Sequence, residues 1–329
     1  MMLPMPRMPD RPRILIAEPL DFSPQAVAIL GAAGEVVQEP WPAERLPQAF
    51  QEFDAVWMRL AHRVDAAILG PRPRCRVLAA AVTGLDHLDL DACRERGVRV
   101  VSLRGETDFL KTVRATAEHT VALLLALLRR IPEAATAVRR GEWRRDLYRG
   151  HELHGKTAGI VGVGRLGTLV AGYLRAFGMR VVGHDPHTPF APTVAEPMAS
   201  LEALLAVADV VSLHVPYSTE TRGLLGARQF AALKPGAVLV NTARGGVIDE
   251  AALLAALESG HLAGAALDVL DGEPEVSPDH PLIQAARRRS DLLIVPHLGG
   301  NTWESLQKTE VFLAHKVVAA LVGEAGNKT

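Results

Sequence analysis

Short apolar runs alternate with helix-sized segments from Arg13 onward. RILIAE, FDAVWM, RVLAAAV and VRVVSL at 98–103 are strand-length runs spaced as in the βα units of a parallel sheet, which predicts a first α/β unit over residues 13–104. The stretch 112–130 has the length and Ala/Leu content of a long helix, which Pro132 stops or from which it restarts the next one. A second series then opens. TAGIV reads as a strand, 165–177 as a helix, MRVVGHD as a strand, 201–207 as a helix, and ADVVSLHV and GAVLVNTA as strands. Asp249 caps a helix over 250–257, and AGAALDVL and DLLIVPH complete the strands. So regular an alternation predicts a doubly wound sheet and argues against an antiparallel sandwich. A last helix, from about 301 to 322, follows the completed second sheet and is expected to return to the first unit.

Composition narrows the class. A chain of 329 residues fits two domains better than one core, and 48% hydrophobic with 22% charged residues describes a globular protein. A formal net charge of −1 supplies no field to draw in nucleic acid or an anionic membrane, so neither is an expected partner. The clusters Arg287-Arg288-Arg289 and Arg144, Arg145 and Arg149 are local and read as solvated or ion-paired faces. Cys75 and Cys93 have neither CxxC nor zinc spacing, so they read as packing residues of a cytoplasmic protein, and no metal is expected. The longest apolar run, 121–128, is core or dimer interface and falls far short of a membrane span, while MMLPMPRMPDRPR lacks the apolar core of a signal peptide.

Chemistry begins at Gly162-Val163-Gly164-Arg165-Leu166-Gly167, a GxGxxG directly after a strand and at the start of a helix. In that context glycine at 162 permits the tight turn, at 164 lets a pyrophosphate reach backbone N–H groups, and at 167 lets helix and strand pack closely. Asp185 ends the next strand, where a carboxylate accepts from the adenosine ribose hydroxyls and repels a 2′-phosphate; NAD is therefore expected over NADP.

Three later residues suit hydride chemistry on a keto or hydroxy acid. A carbonyl under reduction gains negative charge on oxygen and needs a fixed cation and a proton donor. Arg244 in NTARGGVID can be the first and His297 in VPHLGG the second, with Gly299 and Gly300 leaving room beside it. Glu273 in DVLDGEP is assigned to favour the charged ring and hold its orientation. The hydride must come from a cofactor. The plain alternatives are a surface Arg244, a Glu273 that caps a loop and a packed His297; His119 is taken as structural.

The chain resembles the D-isomer-specific 2-hydroxyacid dehydrogenases. TGLDHLDLDA, TAEHTVALLLAL, GKTAGIVGVGRLG, ADVVSLHVPYSTETRGL, LKPGAVLVNTARGGVIDEAAL, GAALDVLDGEP and VPHLGGNT occur in the family's order over most of the chain. The resemblance implies a central Rossmann NAD domain at 108–298, a discontinuous flavodoxin-like substrate domain from 1–107 and 299–329, a ligand cleft between them, and a homodimer paired through the NAD domains. Arg244 would hold the substrate's carboxylate or keto oxygen, Glu273 would support His297 as acid/base, and Asp268 would hold the nicotinamide carboxamide. Arg165, Leu166, Pro216, Thr242 and Ala243 are placed at the cofactor, and His214 either touches or orients it. The backbone at Thr83 and Gly84 would take the substrate carboxylate, and Arg59 falls where some relatives place an anion-binding arginine. Val82 stands where many relatives have glycine, and Leu60-Ala61 replace polar residues, which makes a phosphorylated substrate less expected. No regulatory C-terminal domain is expected. The implied activity interconverts a small 2-keto acid and the D-2-hydroxy acid; the alternative is an NAD-sensing, corepressor-like protein with little or no turnover.

Overall fold

The computed structural model describes residues 11–323. The chain divides into two compact units, one running up to Val113 and resuming at Thr302, the other spanning Arg114–Asn301.

The first unit carries β1 (Arg13–Ile16), β2 (Glu35–Gln38), β3 (Ala55–Met58), β4 (Val77–Ala80) and β5 (Arg99–Ser102) in one parallel sheet ordered β2-β1-β3-β4-β5. That is the flavodoxin-like order, with its switch point between β1 and β3. AVWM and VLAA are buried at every position, as central strands covered on both faces must be. The terminal helix Trp303–Gly323 buries Leu313, Ala314, Val317, Ala320 and Leu321 against Ile14, Ile16, Trp57, Val77 and Ala79, so it does return to the first sheet. Phe109 stacks on Phe312 at 3.9 Å and Lys308 donates to the Thr112 carbonyl, which ties the segment before Val113 to this helix.

The second unit holds β6 (Thr157–Val161), β7 (Arg180–His184), β8 (Glu196–Pro197), β9 (Val210–Leu213), β10 (Ala237–Asn241), β11 (Leu262–Leu267) and β12 (Leu292–Ile294). Its sheet is parallel throughout and ordered β12-β11-β10-β9-β6-β7-β8, the Rossmann winding with a seventh strand and the switch point between β6 and β9. The long helix is Ala115–Leu128; Arg130 then takes left-handed backbone at φ +52°, and Pro132 sits in the first turn of a new helix, Ile131–Arg139. Val121, Leu123, Leu124, Leu127 and Leu128 of the long helix pack with Val170, Ala171 and Leu174, so that run is core within the chain. Both cysteines are buried, and burial pushes the Cys75 and Cys93 thiols up to about 12 and about 11, as unreactive packing residues require. Among the described residues no helix is long and apolar enough to cross a membrane, and no cluster of three or more His, Cys, Asp or Glu has metal-binding geometry.

Candidate active site

The fingerprint turn lies at the switch point of the second sheet. Gly162 has φ +87°, and a Cβ there would stand 2.6 Å from the His214 carbonyl oxygen. A Cβ at 167 would collide with the Gly162 carbonyl, so this glycine sets the approach of helix Arg165–Ala176 to β6. At 164 a Cβ would meet no atom within 4 Å. Protein packing therefore does not require glycine at 164, and the missing Cβ leaves the helix start open to close approach. Gly164 caps the helix with no side-chain bond, which leaves the first-turn N–H groups directed at that space.

Asp185 ends β7 with its carboxylate anchored. Oδ2 accepts from the Val163 N–H at 2.9 Å, and Oδ1 from the N–H groups of His187 and Thr188 at 2.9 and 2.8 Å. Burial works to raise its pKa, but these donors outweigh it and hold the group below the usual carboxylate range. The Thr188 side chain adds a fourth hydrogen bond to this carboxylate. His214 follows β9; its Nε2 pairs with Ser212 Oγ at 2.9 Å, and burial lowers its pKa to about 4, so the ring is neutral at pH 7. Exposed Pro216, two residues on, accepts through its carbonyl from the Thr221 hydroxyl at 2.6 Å.

The turn after β10 is clamped by Asn241, which is fully buried. Its Oδ1 accepts from the Ala243 N–H and its Nδ2 donates to the Arg244 carbonyl, both at 2.9 Å, while buried Thr242 pairs with Thr120 Oγ1 at 2.8 Å. Arg244 donates to the Ala243 carbonyl at 2.7 Å. The sequence does not mark Asn241, because an apolar strand ending in Asn carries no sign of what it will clamp.

Gly245 brings this turn against the loop that carries Glu273, since a Cβ at 245 would fall inside the backbone of Leu270 and Asp271. Glu273 Oε1 accepts from the Leu270 N–H at 2.8 Å, and Oε2 lies 2.6 Å from His297 Nδ1. A carboxylate on Nδ1 keeps the proton on that nitrogen in the neutral ring and leaves Nε2 to exchange protons elsewhere. Both side chains are about three-quarters buried.

His297 is held with left-handed backbone at φ +53°, a strain of about 1–3 kcal/mol for a non-glycine residue. Asp268, 1% exposed, counters it. Its carbonyl accepts from the His297 N–H at 2.8 Å, Oδ1 from Leu298 N–H at 2.6 Å and Oδ2 from Gly299 N–H at 2.9 Å. His119 Nε2 adds a contact to Oδ1 at 3.1 Å, so the structural part of this histidine is to support Asp268. The reason for glycine at 299 also differs from the expectation. A Cβ there would stand 2.9 Å from Asp268 Oδ2 and 3.1 Å from Thr116 Cγ2, so it admits the aspartate, while Gly300 alone faces open space.

In the second unit, then, Arg244, Glu273, His297, Asp268, Thr242, Ala243, His214 and the fingerprint turn follow the C-terminal ends of neighbouring strands. Arg59, Thr83 and Gly84 belong to the first unit, in the loops after β3 and β4. Thr83 is exposed and Gly84 half-buried. Arg59 is not the open cation that anion binding calls for. Its Nη2 and Nε lie 2.6 and 3.2 Å from Oε1 of buried Glu310, and Nη1 donates to the Leu20 carbonyl at 2.9 Å.

The chain is similar to known proteins over most of its length. Residues 121–299 match the family model for the NAD-binding domain of D-isomer-specific 2-hydroxyacid dehydrogenases. D-3-phosphoglycerate dehydrogenase of Mycobacterium tuberculosis is 41% identical over 316 residues, covering 95% of this chain and 57% of that protein. The chain thus spans little more than half the length of the first curated relatives it matches. Glyoxylate reductase of Aeropyrum pernix is 35% identical over 327 residues, covering 95% of this chain and 94% of that one. The crystal structure of D-lactate dehydrogenase from Aquifex aeolicus with NAD and lactic acid superposes with a TM-score of 0.80 at 26% identity, covering 96% of this chain and 97% of that one.

Proposed function

We propose, from the premise that the chain belongs to the D-isomer-specific 2-hydroxyacid dehydrogenase family, that it interconverts a small 2-keto acid and the corresponding D-2-hydroxy acid with NAD. The observation that carries this reading is the 2.6 Å His297–Glu273 pair, set on a strained turn beside a loop in backbone contact with the one that presents Arg244.

The residues at the β6–β9 switch point fit a dinucleotide. Gly164 and the first turn of Arg165–Ala176 would take the pyrophosphate, Asp185 the adenosine ribose, and the remaining acceptor position of Asp268 the nicotinamide carboxamide. Bound NAD supplies the hydride acceptor, and NADH the donor. Arg244 holds the substrate's anionic end and keeps the carbonyl carbon in place. His297 Nε2 donates a proton to the carbonyl oxygen as negative charge develops there, and takes it back in the oxidative direction. Glu273 holds Nδ1 at 2.6 Å and so fixes the plane of the ring during that exchange. Neutral His214 lies beside the fingerprint turn and would line the cofactor without adding charge. A homodimer through the second unit and a cytoplasmic location belong to the same reading; Trp143, 87% exposed, with exposed Ile131 and Val138, is apolar surface for such a dimer to cover.

Replacing His297 with Ala tests the mechanism: kcat with NADH and a panel of 2-keto acids should fall about 10²–10⁴-fold while NADH binding, read by its fluorescence, persists. Turnover at the wild-type rate removes it.

A further inference from the structure

In the first unit the strand order reverses between β1 and β3, and open parallel sheets take ligands outside the C-terminal ends of strands at such a point. The loop after β1 places Glu18 there and the loop after β3 places Arg59. An open guanidinium in this position would clamp a phosphate or a second carboxylate. Here it is committed instead to Glu310, which is 0% exposed and whose other oxygen accepts from the Ser23 N–H at 2.8 Å. Glu18 adds a second carboxylate to the same loop, accepting from the N–H groups of Arg59 and Ala61 at 2.8 and 3.4 Å. One guanidinium thus stands against two carboxylates. An incoming phosphate would have to draw Arg59 away and strand a buried Glu310 without its cation, which the interior resists strongly. Arg63, the other arginine of this loop, is exposed, where screening leaves a single cation little selectivity. Half-buried Leu60 and Val82, on the loops after β3 and β4, supply apolar surface in place of donors.

We propose, resting on the hydroxyacid dehydrogenase reading, that the substrate carries a single anionic group, its 2-keto carboxylate, and an uncharged side chain of methyl, alkyl or hydroxymethyl type. Glu310 is the specificity-determining residue: by holding Arg59 it excludes a phosphorylated side chain.

The test compares kcat/KM for hydroxypyruvate and 3-phosphohydroxypyruvate with NADH at matched ionic strength, using the full chain. Wild type should favour the unphosphorylated compound by about 100-fold, the value of one to two lost charge-assisted contacts. Glu310→Gln, which keeps the shape and removes the charge, should move that ratio about tenfold towards the phosphorylated compound. A wild type that uses the phosphorylated compound equally well or better overturns the inference, as does a folded Glu310→Gln with an unchanged ratio. If that variant does not fold, the wild-type ratio still decides. Turnover of neither compound nor of any other 2-keto acid removes the dehydrogenase reading itself, whereas a phosphate preference removes only this inference.

Discussion

Gly245→Ala is a one-methyl change that should separate the two loops on which the proposed chemistry depends. The new Cβ would overlap the Leu270 carbonyl carbon and oxygen and the Asp271 nitrogen, all backbone atoms that cannot rotate away. Reaching even the shortest separation that real Cβ atoms show requires the turn carrying Arg244 and the loop carrying Glu273 to part by about 1 Å. Displacement of that size costs catalysis about 10²-fold, or nearly 3 kcal/mol of transition-state stabilisation. Overpacking should also take about 1–3 kcal/mol from stability. The loop on the far side is not free to yield, because the Asp271 N–H is bonded to Glu250 Oε1 at 2.9 Å and Glu250 Oε2 is paired with His280 at 3.1 Å. Steady-state kinetics with NADH and the best keto acid, beside thermal melting, reads both effects. The counterpart Gly300→Ala, whose Cβ meets open space, should leave the melting temperature within a degree or two. A Gly245→Ala protein with wild-type kcat and melting temperature would refute the close backbone contact and the coupling drawn from it.

Two further outcomes follow from the supporting groups. Asp268→Asn keeps the shape but turns one acceptor of the 298–299 turn into a donor, losing a charge-assisted bond of about 1.5–3 kcal/mol, comparable with the strain at His297. Its kcat should drop at least about tenfold along with its melting temperature, and an unaltered kcat would show that the turn holds His297 without it. The second concerns acid. Burial places the His214 pKa at about 4 in the folded chain against an ordinary value of 6.5, so the unfolded chain takes up the proton first. The neutral ring therefore contributes its full stability above pH 6.5, and that contribution drains away as pH falls towards 4, roughly 3 kcal/mol at most and less because the ring keeps some contact with solvent. Urea unfolding at pH 7.5, 6, 5 and 4 should show this loss in wild type and a shallower one in His214→Gln; identical slopes would contradict the assignment.

What could be read from the sequence, and what could not, divides along a physical line. Central strands such as AVWM and VLAA announce themselves because burial on both faces demands unbroken apolar runs, and the fingerprint does so because a tight turn and a close helix demand glycine locally. β2, with exposed Glu35 and Gln38 at its ends, and the two-residue β8 carry no such signal, because these edge strands need no unbroken apolar run. The short helices Ala227–Ala232 and Pro281–Ala286 have too few turns for a helical period to show. The domain boundary is equally indistinct locally, since the contacts that hold 109–112 to the first unit come from the far end of the chain. The same holds for the polar groups. Glu273 and His297 stand 24 residues apart, His119 and Asp268 149 apart, and Arg59 and Glu310 251 apart. No local pattern marks a carboxylate whose partner arrives only after the sheet has closed. Resemblance alone puts an anion-binding arginine at Arg59, and it takes the fold to show that its guanidinium is paired with buried Glu310. Each of these long-range pairs sets the charge or orientation of a group that local reading assigns to chemistry, so specificity is the property least visible in the sequence and most dependent on tertiary closure.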